Sequence, residues 1–225
     1  MTLSVVLADA NILYSRTLRD YFLYAADAGA IELHWSQEIL DEMSRNLRTG
    51  LGIDTEHTDR LEQLMNAYLE YALVEISDEA TNEVADVEMD AKDRHVLAAA
   101  VSAEADILLT DNIRHFPRAW MDGRGIELVG SGDLLIRLAE SVPGKVRSAH
   151  DVTLRHSKKD ENDLLATLAR CVGDPAVAAI RRVLAGERSL GSREKGRRPT
   201  SARGIAYRGR YGYRAVVVHH RAAQP

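Results

Sequence analysis

The sequence predicts an α/β fold in which a central parallel sheet is flanked by helices. Three observations carry this. Short Val/Ile/Leu-rich runs at residues 3–7, 31–35, 73–76, 106–109 and 126–129 alternate with longer segments of helical apolar spacing, the pattern that lays strands into one parallel sheet with helices across its faces. The first run is continuously apolar and closes on the polar Asp9 and Asn11, which suits a strand buried on both sides. At 225 residues and 45% hydrophobic composition, the chain can also enclose one sizeable core.

After the first strand, residues 13–28 place Leu13, Leu18, Phe22, Ala25 and Ala26 at helical spacing, and Gly29 is a natural stop. Ser36 is a good N-cap for a helix carrying Ile39, Leu40, Met43 and Leu47, which Gly50 and Gly52 should end. Residues 58–71 form an amphipathic helix with Leu61, Leu64, Met65 and Tyr68 on one face. The acidic stretch 77–89 has no clear pattern. Asp93 sits where an N-cap belongs, ahead of RHVLAAAVSAE, and a last helix of the domain is expected over residues 131–140.

These elements define a domain at residues 1–142. Pro143 and Gly144 read as a linker, and Ser148-x-x-Asp151 resembles a capping box. A small helical extension follows at 145–185, in which Leu164, Leu165, Leu168 and Cys171, then Val177, Ile180 and Val183, make two short amphipathic helices. Residues 186–225 are rich in Gly, Arg, Ser and Pro and are expected to be largely disordered, with a weak strand within 207–220.

The total charge of −5 conceals a division. Residues 186–225 hold ten Lys or Arg against two acids, a net +8, which leaves −13 on the first 185 residues. An acidic body argues against simple coating of nucleic acid. The basic end, with interleaved Tyr207, Tyr211 and Tyr213, has the composition for loose RNA binding. A single cysteine, Cys171, excludes an intramolecular disulfide, and its helical stripe suggests a packed small hydrophobe. The start lacks a basic n-region and meets Asp9 too early for a signal peptide. The charge-free run 96–103 is far shorter than the roughly 20 residues of a membrane helix. A soluble cytoplasmic protein without a membrane partner is expected.

Chemistry is suggested by scattered acids. Asp9 and Asp111 follow predicted strands, Asp93 opens a helix, and Glu42 lies on the second turn of its own helix. In a parallel sheet the strand carboxyl ends share one rim, where ligands bind. Carboxylates gathered there repel unless protons or a cation neutralise them, and a hard divalent ion such as Mg²⁺ or Mn²⁺ suits oxygen ligands. Such an ion can activate water against a phosphodiester. Asp90 and Asn112 are nearby substitutes for Asp93 and Asp111. Asn11, Arg94 and Arg114, with Lys92, are candidates for positioning metal, water or substrate phosphates.

The segments Asp9-Ala10-Asn11-Ile12-Leu13, Glu42 in a helix, Asp93-Arg94-His95-Val96-Leu97-Ala98-Ala99-Ala100 and Leu108-Leu109-Thr110-Asp111-Asn112-Ile113-Arg114-His115-Phe116-Pro117 together resemble a PIN-domain protein, nearest to the VapC-type ribonuclease toxins of toxin–antitoxin pairs. The resemblance covers about residues 3–140. It implies a PIN-like domain and a Mg²⁺- or Mn²⁺-dependent endoribonuclease acting on single-stranded RNA, with the metal held by Asp9, Glu42, Asp93 and Asp111. It further implies an antitoxin that blocks the site and a homodimer. A haloacid-dehalogenase-like phosphohydrolase also starts with a strand and Asp, but Asn11 stands where its second acid belongs. A non-catalytic PIN-like binding module is the other alternative. His95 and His115 read as a helix-face and a loop polar group rather than general bases. His219-His220 lacks partners at zinc spacing, and no third glycine completes a dinucleotide loop.

Overall fold

In the computed structural model, which describes residues 3–190, the elements run β1 (Val5–Ala8), α1 (Ala10–Tyr14), α2 (Arg16–Asp27), β2 (Glu32–Ser36), α3 (Gln37–Leu51), α4 (Thr55–Tyr68), β3 (Leu73–Val74), α5 (Asp78–Glu83), α6 (Arg94–Ser102), β4 (Ile107–Leu109), α7 (Arg118–Asp122), β5 (Glu127–Val129), α8 (Ser131–Ser141), α9 (Pro143–His156), α10 (Glu161–Val172) and α11 (Asp174–Leu190). Short 3₁₀ turns occupy Ala91–Asp93 and Ile113–His115. The expectations for residues beyond 190, including the weak strand, lie outside the described residues. No described helix is long and apolar enough to cross a membrane.

The five strands form one sheet in the order β3-β2-β1-β4-β5, every pairing parallel. An all-apolar strand lies at its centre: Val6, Leu7 and Ala8 are fully buried, and Leu7 is in register with His34 on one side and Leu108 on the other. The chain winds outward from β1 through β2 to β3, then crosses back to begin β4 on the opposite side of β1. This reversal is the topological switch point where open α/β sheets place their ligands.

Local sequence explains most boundaries. Ser36 caps α3 as expected, its Oγ accepting from the Ile39 N–H at 3.3 Å. Gly52, rather than Gly50, ends that helix, with φ of 65° in the left-handed region that favours glycine. The single helix expected over 13–28 is two. Ser15 takes an extended conformation and its Oγ accepts from Leu18 N, so it ends α1 and caps α2. Helix α4 starts three residues earlier than the apolar spacing shows, because Asp54 caps it through the His57 N–H. Ser77 caps α5 inside the acidic stretch that has no apolar period.

Pro143 and Gly144 are not a linker. Pro143 opens α9, where its fixed φ and missing N–H suit a first helical position. Ser148 consequently lies inside α9 and donates to Gly144 O instead of forming a capping box. Helix α11 continues through Gly186 to Leu190. Cys171 is exposed on α10, with its Sγ 3.6 Å from Ser15 Oγ, so it is not packed in the apolar stripe.

The segment set apart as a helical extension shares the core of the sheet domain. Val146, Ala149, Leu164, Leu165, Leu168, Val177 and Ile180 belong to the same buried cluster as Leu7, Phe22 and Leu135. Helix α9 packs on α2 and α11 on α8. Helix α10 comes so near α8 that a Cβ on Gly132 would lie 2.7 Å from the Val172 carbonyl oxygen. Gly132→Ala should therefore destabilise by about 1–2 kcal/mol, since backbone cannot step aside as a side chain can. Gly144→Ala, where nothing lies within 4 Å, should stabilise by about 0.4–1 kcal/mol. Thermal denaturation of both variants checks the pair, and a Gly132→Ala protein as stable as the parent would refute the close approach.

Candidate active site

Asp9 follows β1 directly, and its backbone N–H continues the ladder to Leu109 O at 3.0 Å. Its carboxyl group is thus fixed between β1 and β4, and the residue is only 5% exposed. Two side-chain donors converge on one oxygen: Asn11 Nδ2 at 2.5 Å and Thr110 Oγ1 at 2.6 Å reach Asp9 Oδ2. Asn11 Nδ2 also lies 2.8 Å from Thr110 Oγ1, while Asn11 Oδ1 accepts from the Asp111 N–H at 3.2 Å. These contacts orient the Asn11 amide and lock the Asp9 rotamer. Thr110 is fully buried. Its role is invisible in sequence because it depends on the Ala8–Leu109 register.

Glu42 is carried on α3, whose Ile39, Leu40 and Met43 are fully buried and fix the helix against the core. Its Oε2 lies 3.4 Å from His95 Nε2 on α6. The pair lacks hydrogen-bond geometry, so this buried nitrogen has no hydrogen-bond partner. Asp93 is not the side-chain cap of α6. Its backbone is already helical, and Asp90 caps the turn ahead of it through the Lys92 N–H at 3.1 Å. The Asp93 carboxylate is free to reach His115, whose Nδ1 lies 2.8 Å from Oδ2. Both histidines, which sequence reading sets aside as surface polar groups, therefore stand against the acids.

The other expected residues are placed differently. Asp111 turns its carboxylate to the start of α8, where Oδ1 accepts from the Ser131 N–H and Oδ2 from the Ser131 hydroxyl, both at 2.8 Å. Gly130 precedes α8 without a side chain to satisfy the first N–H groups, and Asp111 supplies the missing acceptor and a favourable negative charge. Asn112 is exposed and donates its backbone N–H to Thr110 Oγ1. Asp90 is exposed and pairs with Lys92 at 3.4 Å. Arg94 donates to the carbonyls of Val84, Ala85 and Val87, which ties down the end of α5 rather than presenting the guanidinium to a substrate. Arg114 is exposed on the 3₁₀ turn next to His115.

Asp9, Glu42 and Asp93 thus approach from three elements and sense one another electrostatically. Burial first, then the negative charges of Glu42 and Asp93, push the Asp9 carboxyl up to about 6, although the Thr110 hydroxyl pulls it down. Among the described residues no three potential ligands stand close enough to enclose an ion by themselves. The donor set still fits Mg²⁺ or Mn²⁺, because all three groups offer hard oxygens and such ions keep several waters while binding one or two carboxylates. A cation beside Asp9 would also relieve the repulsion that raises its proton affinity.

The raised proton affinity of Asp9 has a stability consequence. A raised folded-state value means the contribution of Asp9 is complete below pH 3.8 and lost as pH rises through about 6. Above that pH the ionised group costs up to about 3 kcal/mol. Since both donors meet one oxygen, Asn at position 9 can accept both with its single carbonyl. Asp9→Asn should therefore be more stable than the parent at pH 8 in EDTA, with the difference vanishing near pH 4. Thermal melts across that range decide it, and a less stable variant at pH 8 would contradict the assignment.

Residues 5–114 match the family model of the PIN domain; no curated protein matches the chain. The matched stretch, just under half of the sequence, spans β1 through β4 and includes Asp9, Glu42 and Asp93. With a five-stranded parallel sheet and an acidic switch point already in place, the match supports a PIN domain over this portion of the chain, a domain type that is generally nucleolytic.

Proposed function

We propose that the protein is a divalent-cation-dependent endoribonuclease in which Asp9, Glu42 and Asp93 hold Mg²⁺ or Mn²⁺. The observation that carries this reading is a carboxyl group at the topological switch point, pushed up first by burial and then by the charges of two further acids from different elements. When bound, such an ion polarises a phosphodiester oxygen and lowers the pKa of a coordinated water, the requirements of hydrolysis at phosphorus. The chain's own contribution is orientation. Thr110 and Asn11 fix Asp9 against rotation, the rigid α3 sets the position of Glu42, and the Asp90-capped turn delivers Asp93. Arg114, exposed on the turn that also bears His115, would supply a cation for a backbone phosphate. Asp111 is assigned to holding α8.

Single-stranded RNA as substrate, and a role as the toxin of a toxin–antitoxin pair, extend this reading on the strength of the four resembling segments. A cognate antitoxin would then inhibit by placing a basic group among the carboxylates, and the active form would be a homodimer in the cytoplasm. A phosphohydrolase using Asp9 as nucleophile is disfavoured by the family match.

The full chain should cleave single-stranded RNA internally with Mn²⁺ or Mg²⁺ and stop on addition of EDTA. Asp9→Asn and Asp93→Asn should each lower the rate by about 100-fold or more, since each removes part of a charge site worth several kcal/mol in the transition state. Asp111→Ala should retain cleavage within about tenfold while losing about 1 kcal/mol of stability through the uncapped α8. Gel analysis of end-labelled RNA gives the rates. Unchanged cleavage by Asp9→Asn overturns the assignment, and absence of cleavage and of Mn²⁺ binding by the parent favours a non-catalytic binding module.

A further inference from the structure

We propose that His115 and His95 are positioning residues which each restrain one oxygen of a site carboxylate, so that the cluster favours a compact six-coordinate cation over Ca²⁺. The inference rests on the metal-site reading above and adds to it two residues that sequence reading set aside.

The acids are held in a regular way. Asp9 has both side-chain donors on Oδ2. Asp93 has its one side-chain donor, His115 Nδ1, on Oδ2 at 2.8 Å. Glu42 has His95 Nε2 standing 3.4 Å from Oε2. At Asp9 and Asp93 the side-chain donors meet a single oxygen of the carboxylate, and at Glu42 His95 stands beside a single oxygen without yet bonding it. A carboxylate tethered in this way is biased toward monodentate coordination. Mg²⁺ and Mn²⁺ accept this readily, being six-coordinate at short distance with water in the remaining positions; Ca²⁺ takes 6–8 oxygens at 2.3–2.6 Å and uses bidentate carboxylates to reach that number. Partners that hydrogen-bond a ligating group typically set metal affinity by 10–100-fold.

The two histidines occupy different stages of the same arrangement. His115 is already engaged, and it comes from the 3₁₀ turn after β4, 22 residues from Asp93, so it bridges two segments that the sheet alone leaves independent. His95 is buried at Nε2 without a hydrogen-bond partner, an arrangement that costs free energy until the group is satisfied. A small rotation of Glu42 toward it would close the 3.4 Å gap and present the other glutamate oxygen to the ion.

The test uses the full-length protein and measures Mn²⁺ binding by calorimetry, with Ca²⁺ as competitor, on the parent, His115→Ala, His115→Gln, His95→Ala and Asp9→Asn. His115→Ala should weaken Mn²⁺ binding by about 10-fold or more while changing Ca²⁺ binding little, so that the Mn²⁺/Ca²⁺ preference narrows. His115→Gln, which keeps a side-chain donor, should restore part of that preference, and His95→Ala should shift it in the same direction as His115→Ala. Circular dichroism and melting temperature on each variant separate these effects from loss of fold. If the parent binds Mn²⁺, Asp9→Asn does not, and folded His115→Ala keeps the parental preference, the positioning role is overturned while the metal site stands. Equal weakening of both cations overturns selectivity in the same way. If the parent and Asp9→Asn bind Mn²⁺ alike, or neither binds it, the metal-site reading itself fails and this inference with it.

Discussion

The arrangement of the whole site depends on a single unfavourable placement: a carboxyl group almost fully buried between two parallel strands and exposed to the charge of two others. Burying Asp9 there is costly, and much of the surrounding structure compensates. Thr110 is buried at the end of β4 with its hydroxyl on Asp9, and Asn11 bridges Asp9, Thr110 and the Asp111 backbone. These bonds exist only because β1 and β4 are paired in the register that sets Ala8 beside Leu109. Sheet topology and site chemistry are therefore one constraint seen at two scales.

The packing of the helices serves the same end. Helix α3 places Glu42 because its buried face leaves it one stable orientation against the core. Asp93 becomes available because Asp90 performs the capping that spacing assigns to Asp93. Asp111 is drawn away because α8 begins after a glycine and needs an acceptor for its first N–H groups. Of four acids at matching topological positions, three remain at the rim and one stabilises a helix. The division follows from which helix termini already have caps.

The helices after residue 142 complete the core. Leu164, Leu168 and Ile180 join the cluster that contains the central strand, and Gly132 permits contact between α8 and α10 closer than any side chain would allow. The PIN-domain match ends at residue 114, before β5 and these helices, and the elements that follow are buried in the same interior.

By itself the sequence determined the five strands and the longer amphipathic helices, because apolar runs of four or five residues and helical spacing reflect which faces must leave water, a property local to each segment; α5, α7 and α9 lack that signature. Ser36, Gly29 and the acids after β1 and β4 were legible for the same reason. Other features belonged to tertiary structure. That Thr110 would clasp Asp9, that His115 would find Asp93, and that Ser131 would claim Asp111 are pairings across 101, 22 and 20 positions of chain. No local pattern encodes them, since a hydrogen bond between distant residues depends on strand register and helix placement. Pro143 shows the limit from the other side: a residue that commonly ends structure here begins a helix, and the packing of α9 on α2 accompanies that choice.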